Sequence, residues 1–142
     1  MTADLAWTFE HWEALTPSAC HHILKLRQSV FVLEQACLYP DIDDQDLDWW
    51  HLCGWHNKTL VAYARLRCDA SPTIIGRVAV HPDYRGLGIG KALMQNAMAR
   101  STRPIEISAQ HYLLAFYTAL GFEAKGEPYD EDGIPHIAMT AP

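Results

Sequence analysis

The sequence predicts a mixed α/β fold, and three observations carry that reading. β-rich runs and helix-periodic runs succeed one another in the order strand, helix, several strands, helix, strand, helix, two strands. A cluster of glycines, Gly86, Gly88 and Gly90, falls between a β-rich run and an amphipathic one. No repeat, linker or low-complexity stretch divides the chain. With 142 residues, 49% of them hydrophobic, residues 1–142 are read as one domain around one core.

Trp7 to Trp12 reads as a short strand. Thr16-Pro17 then supplies a capping hydroxyl and a proline at the first helical position, and Cys20, Ile23, Leu24, Val30 and Phe31 extend a helix to about Leu33. The acidic segment 39–48 has neither period and is expected to be an irregular or weakly helical connection. His51 to His56 and Leu60 to Cys68 form two antiparallel strands around a turn at Asn57-Lys58. Ser71-Pro72 breaks the chain, Thr73 to Val80 is the next strand, and His81-Pro82 ends it. Gly90 to Arg100 reads as a helix, Pro104 to Ala109 as a buried strand and His111 to Leu120 as a helix stopped by Gly121. Phe122 onward and Ile137 to Thr140 close a hairpin around Asp132-Gly133.

Composition removes several functions. The net charge is −6 and no long basic run interrupts it, so tracking of nucleic-acid phosphates is excluded as an expectation. Cys20, Cys37, Cys53 and Cys68 are irregularly spaced and read as reduced thiols. No stretch resembles a signal peptide or spans a bilayer, so the expectation is a cytoplasmic protein with no membrane partner. His51, Cys53 and His56 carry metal-capable atoms, but strand alternation separates them and no second ligand pair exists, so no metal is expected.

A strand that enters a glycine-rich turn and then a helix leaves backbone N–H groups unpaired at a helix N-terminus, where the dipole also favours an anion. Arg85 and Lys91 add positive charge to that turn. Lys91 stands where a dinucleotide-binding fingerprint needs its third glycine, and Ala92 stands where a P-loop needs Ser or Thr. Nicotinamide and ATP readings lose support accordingly, and a purely structural turn is the plainer alternative.

Arg85-x-x-Gly88-x-Gly90, preceded by Val78-Ala79-Val80-His81-Pro82, resembles the acetyl-CoA signature of the GNAT acetyltransferase superfamily. Phe116-Tyr117 followed by Gly121-Phe122 resembles the distal element of the same family. Residues 26–35 and 129–136 are similar to the ElaA-like branch. The resemblance implies a strongly twisted mixed sheet flanked by helices, with acetyl-CoA in a V-shaped opening between the fourth and fifth strands. It implies that Val78, Ala79 and Val80 face the pantetheine arm and that Arg85, Gly86, Leu87, Gly88, Ile89, Gly90 and Lys91 cradle the pyrophosphate. Tyr117 takes the family position that protonates the CoA sulfur. Gln110 stands near where many members carry asparagine.

An amine acceptor must also lose a proton, and Glu34, His136 or another carboxylate are open candidates for receiving it. The bland readings are a solvated helix-end carboxylate and a hairpin histidine. Asp41, Asp43, Asp44, Asp46 and Asp48 could draw in a cationic amine, although a solvated loop is the plainer reading. The expected activity is transfer of an acetyl group to a primary amine by direct attack in a ternary complex. The alternative is a noncatalytic acyl-CoA sensor. The acceptor, a small molecule or a peptide, is left open, and so is a homodimer.

Overall fold

The computed structural model describes residues 4–142. Thr16 Oγ1 accepts the Ala19 N–H at 3.1 Å, and Pro17 takes the first helical position, so α1 (Pro17–Arg27) starts where its capping chemistry dictates. The helix expected to reach Leu33 changes winding after Arg27, and Gln28–Glu34 is a π-helical turn. Val30 and Phe31 fit either winding, so apolar spacing alone does not resolve the switch.

The strands are β1 (Ala6–His11), β2 (Trp50–His56), β3 (Thr59–Arg67), β4 (Thr73–Val80), β5 (Ile105–Gln110), β6 (Glu123–Glu131) and β7 (Ile134–Ala141). They form one seven-stranded mixed sheet in the order β1-β2-β3-β4-β5-β7-β6. The remaining helices are α2 (Gln45–Asp48), α3 (Ile89–Ala99) and α4 (Leu114–Ala119). The last of these follows a single 3₁₀ turn, His111–Leu113, where one continuous helix was expected.

One face of the sheet buries Leu93, Met94 and Ala97 of α3 and Tyr117 of α4 against Leu66, Ile75, Ile105 and Met139. The other buries Ile23, Leu26 and Val30 against Cys53, Tyr63 and Ala79. The apolar faces of the helices find the sheet, as the hydrophobic effect requires of amphipathic elements. Among the described residues no helix is long and apolar enough to cross a membrane.

The parallel pair β4·β5 positions the site. The two strands start together: the Thr73 N–H donates to the Pro104 carbonyl at 3.0 Å, and Thr73 Oγ1 donates to the Thr102 carbonyl at 2.7 Å. Ladder pairing then covers only Thr73↔Ile105 and Ile74↔Glu106 before the strands diverge. β5 pairs along its whole length with β7 instead. The sheet therefore opens as a V toward the C-terminal end of β4.

Candidate active site

β4 enters the opening through a bulge. Its register with β3 runs from Arg65↔Gly76 to Tyr63↔Ala79, so β4 carries one residue more than its partner, and Arg77 takes φ +52°. Between β4 and β5 lies a cleft of about 1140 Å³. Val78, Ala79 and Val80 line it from the strand, Gly86, Gly88 and Gly90 from the turn, and Tyr117 from α4.

Backbone conformation shapes the glycine turn. Gly86 and Gly88 both sit at φ +78°, a left-handed conformation that disfavours side chains, although nothing lies within 4 Å of where a Cβ would stand. Backbone conformation, not space, is thus what calls for glycine here. Gly88 caps α3 without a side-chain hydrogen bond, so the first N–H groups of an 11-residue helix have no side-chain capping partner. Two of the expected turn residues, Leu87 and Lys91, do not line the cleft: Leu87 packs toward the core and the Lys91 side chain is exposed.

Tyr117 is 5% exposed, with its ring edge-on to Phe116 and Phe122. Burial, with Tyr112 adding, pushes its phenol up to about 12, so it holds its proton throughout the neutral range. Glu34 also lines the cleft, but its carboxylate is bound by both terminal nitrogens of Arg85, one of them at 2.7 Å. The hydrogen bonds from Arg85 hold Glu34 below the usual carboxylate range. That makes it a weak proton acceptor, and the Arg85 charge is shared with Glu34 instead of standing free beside the turn.

His136 is 7% exposed and lines the cleft from β7. Its Nδ1–H donates to the Ile134 carbonyl at 2.7 Å, which leaves Nε2 as the basic nitrogen, 3.2 Å from Glu131 Oε2. Gln35 and Gln110 meet at 3.3 Å in the same cleft.

The acidic segment departs from the solvated loop expected of it. Asp41 and Asp46 are buried, and three of the five carboxylates are consumed by arginines. Arg27 Nε donates to Asp41 at 2.9 Å and Arg27 Nη1 to Asp46 at 2.6 Å. Arg65 binds Asp46 at 2.9 Å and Asp43 at 2.8 Å. Arg77 Nε lies 2.8 Å from Asp41 Oδ1 without the alignment of a hydrogen bond. Only Asp44 and Asp48 of the five are exposed, so the segment is fastened to the sheet and is not a free acidic lure for amines. His51 ties in beneath: Nε2–H donates to the Asp46 carbonyl at 2.9 Å, and Nδ1 accepts from Tyr63 OH at 2.6 Å. Its neighbour Cys53 is buried in the core, while His56 Nδ1 lies 3.0 Å from Tyr84 OH.

Sequence reasoning passed over this network. Its signal was present: Arg65 and Arg67 alternate with apolar residues on one strand, facing the same side as Tyr63, and a strand that points cations inward needs anions nearby.

Comparison with known proteins adds the family. The sequence matches the Acetyltransferase (GNAT) domain over residues 24–141. The chain belongs to the GNAT acetyltransferase family. Within that family it is ElaA-like: Protein ElaA of Escherichia coli (strain K12) is 42% identical over 146 aligned residues, covering 96% of this chain and 95% of that protein. The crystal structure of Escherichia coli ElaA superposes with a TM-score of 0.91 at 40% identity, covering 98% of this chain and 100% of that one. The crystal structure of an acyl-CoA N-acyltransferase from Pseudomonas aeruginosa superposes with a TM-score of 0.92, also at 40% identity and with the same coverage of 98% and 100%. This GNAT protein is therefore an acyl-CoA-dependent acyltransferase, and the splayed strands and uncapped glycine turn fit the elongated, phosphate-bearing donor that such a family uses.

Proposed function

We propose that this protein transfers an acetyl group from acetyl-CoA to a primary amine, by direct attack within a ternary complex. The observation that carries the reading is that the diverging β4 and β5, the glycine turn, Tyr117 and His136 all line one cleft. Main-chain groups of Val78, Ala79 and Val80 would pair with the pantetheine arm as an added strand does. The N–H groups from Gly86 through Lys91 would hold the pyrophosphate. Acetyl-CoA supplies a thioester-activated acetyl group.

The residues of the chain then divide the proton work. His136 Nε2, with Glu131 beside it, receives the proton of the amine, directly or through a water. Glu34 is less suited, because Arg85 favours its ionised form. Tyr117 keeps its proton at neutral pH and supplies it to the departing thiolate. Residues 1–142 act as one catalytic unit in this reading, in a cytoplasmic setting.

The test is the melting temperature with and without saturating acetyl-CoA, with ATP and NAD as phosphate controls. At about a hundredfold excess over Kd, binding adds roughly 2.7 kcal/mol and moves the midpoint by several degrees. A rise selective for acetyl-CoA, followed by CoA release in the presence of amines, is expected. Equal curves would overturn the reading, and a rise with no CoA release across an amine panel would leave a sensor.

A further inference from the structure

Of the two cations at the glycine turn, Lys91 stays outside the cleft and Arg85 lines it. The Arg85 side chain is already engaged on two sides. Its Nε–H donates to the Val80 carbonyl at 3.2 Å, and Nη1 and Nη2 grip the two carboxylate oxygens of Glu34. One guanidinium thus joins the glycine turn, the end of β4 and the π-helical turn. A donor with its pyrophosphate at the turn and its pantetheine arm beside Val78, Ala79 and Val80 runs along the same line.

Glu34 has no reason of its own to be anionic. It closes the helical run that begins at Pro17, and a carboxylate at the C-terminal end of a helix faces the negative end of the dipole. What calls for the charge is Arg85. The guanidinium fork that Glu34 occupies matches a phosphate as well as a carboxylate, and a carboxylate beside a pyrophosphate is repelled by it. The two are therefore alternatives for one arginine. Exchange between them is easy, because the Arg85 and Glu34 side chains are 42% and 41% exposed and water solvates whichever group is released. We propose, on the basis of the acyl-CoA reading above, that Glu34 is a built-in competitor of the donor's pyrophosphate: it holds Arg85 until the pyrophosphate takes the arginine from it, and so sets how tightly the donor binds.

The test is isothermal titration with CoA and with dephospho-CoA, which keeps the pyrophosphate and lacks the 3′-phosphate. The proteins are the wild type, Glu34→Gln, Glu34→Asp, Arg85→Gln and the double variant Glu34→Gln/Arg85→Gln, each checked for an unchanged melting temperature without ligand. Glu34→Gln is expected to bind both ligands about two- to fivefold more tightly, the range set by the loss of an exposed ion pair. Glu34→Asp keeps the charge but shortens its reach, and should show part of that gain. Arg85→Gln should bind both ligands more weakly than the wild type, and adding Glu34→Gln to it should change little, because no arginine is left to compete for. Unchanged or weaker binding in Glu34→Gln would make Glu34 a brace for Arg85 and overturn the proposal. A gain that persists in the Arg85→Gln background would be the general field of a removed carboxylate, and a gain confined to CoA would belong to the 3′-phosphate; either would overturn it too. In all three cases the wild type still binds CoA and the acyl-CoA reading stands. A wild type that binds neither ligand would overturn that reading and this one with it.

Discussion

Tyr117 and Gly88 show how different physics specifies two neighbours of one cleft. For Tyr117 the hydroxyl is the proton donor of the proposed mechanism, while the ring matters to packing, because it lies edge-on to Phe116 and Phe122. Tyr117→Phe is expected to lower kcat by about a hundredfold or more, the range for a lost general acid, with the acetyl-CoA melting shift unchanged. A variant with wild-type kcat would remove Tyr117 from the mechanism. Gly88 matters through its backbone. Gly88→Ala forces a Cβ into φ +78° with no steric neighbour to blame, and should cost about 1–2 kcal/mol, several degrees of melting temperature. If Gly88→Ala melts with the wild type, the left-handed turn is not what the free protein holds.

Among the elements, the segment around α2 depends most on its context. α2 is only 4 residues long and its apolar Leu47 is 52% exposed, so burial of side-chain carbon does not hold it in place. Its attachment is ionic, and Asp46 is the joint, since Arg27 and Arg65 both bind the same oxygen. Asp46→Asn keeps the shape and removes the charge, leaving two buried guanidinium groups under-compensated. Chemical denaturation should register a loss of about 3–5 kcal/mol, as for other broken buried pairs. A loss below about 1 kcal/mol, the range of surface pairs, would mean that water already reaches the network. Trp49 and Tyr39 line the cleft beside this segment, so acceptor KM should rise in the same variant.

At the scale of the whole molecule, the ionic network makes stability depend on pH in one direction. Burial pushes His51 down to about 4 from an ordinary 6.5, so the unfolded chain takes up a proton that the folded one refuses. The stability this contributes is complete above pH 6.5 and is lost as pH falls toward 4. Asp43 acts in the same sense: burial would raise it, but Arg65, Arg77 and Arg27 together hold it below the usual range, and its contribution disappears as it is protonated. The melting temperature should therefore decline below about pH 6.5, and His51→Gln should flatten the decline between pH 6.5 and 4. An equally steep decline in His51→Gln would assign it to other groups.

What was legible in the sequence follows interaction range. Thr16-Pro17 marked the start of α1, Thr73 to Val80 marked β4 to the residue, and the glycines marked the turn that leads into α3. In each case the controlling interaction lies within a few residues along the chain. By itself the sequence thus determined the order of the elements, the alternation of their faces, the glycine turn between β4 and α3 and the family to which the chain belongs. The tertiary structure alone decided that Asp41, Asp43 and Asp46 are structural, that Glu34 is occupied by Arg85 and that Glu131 stands beside His136. Charges act over distances in space, and an ion pair such as Glu34–Arg85 joins residues 51 positions apart. Local pattern carries no record of such a pairing, because it is set by where the sheet and the π-helical turn bring the chain together.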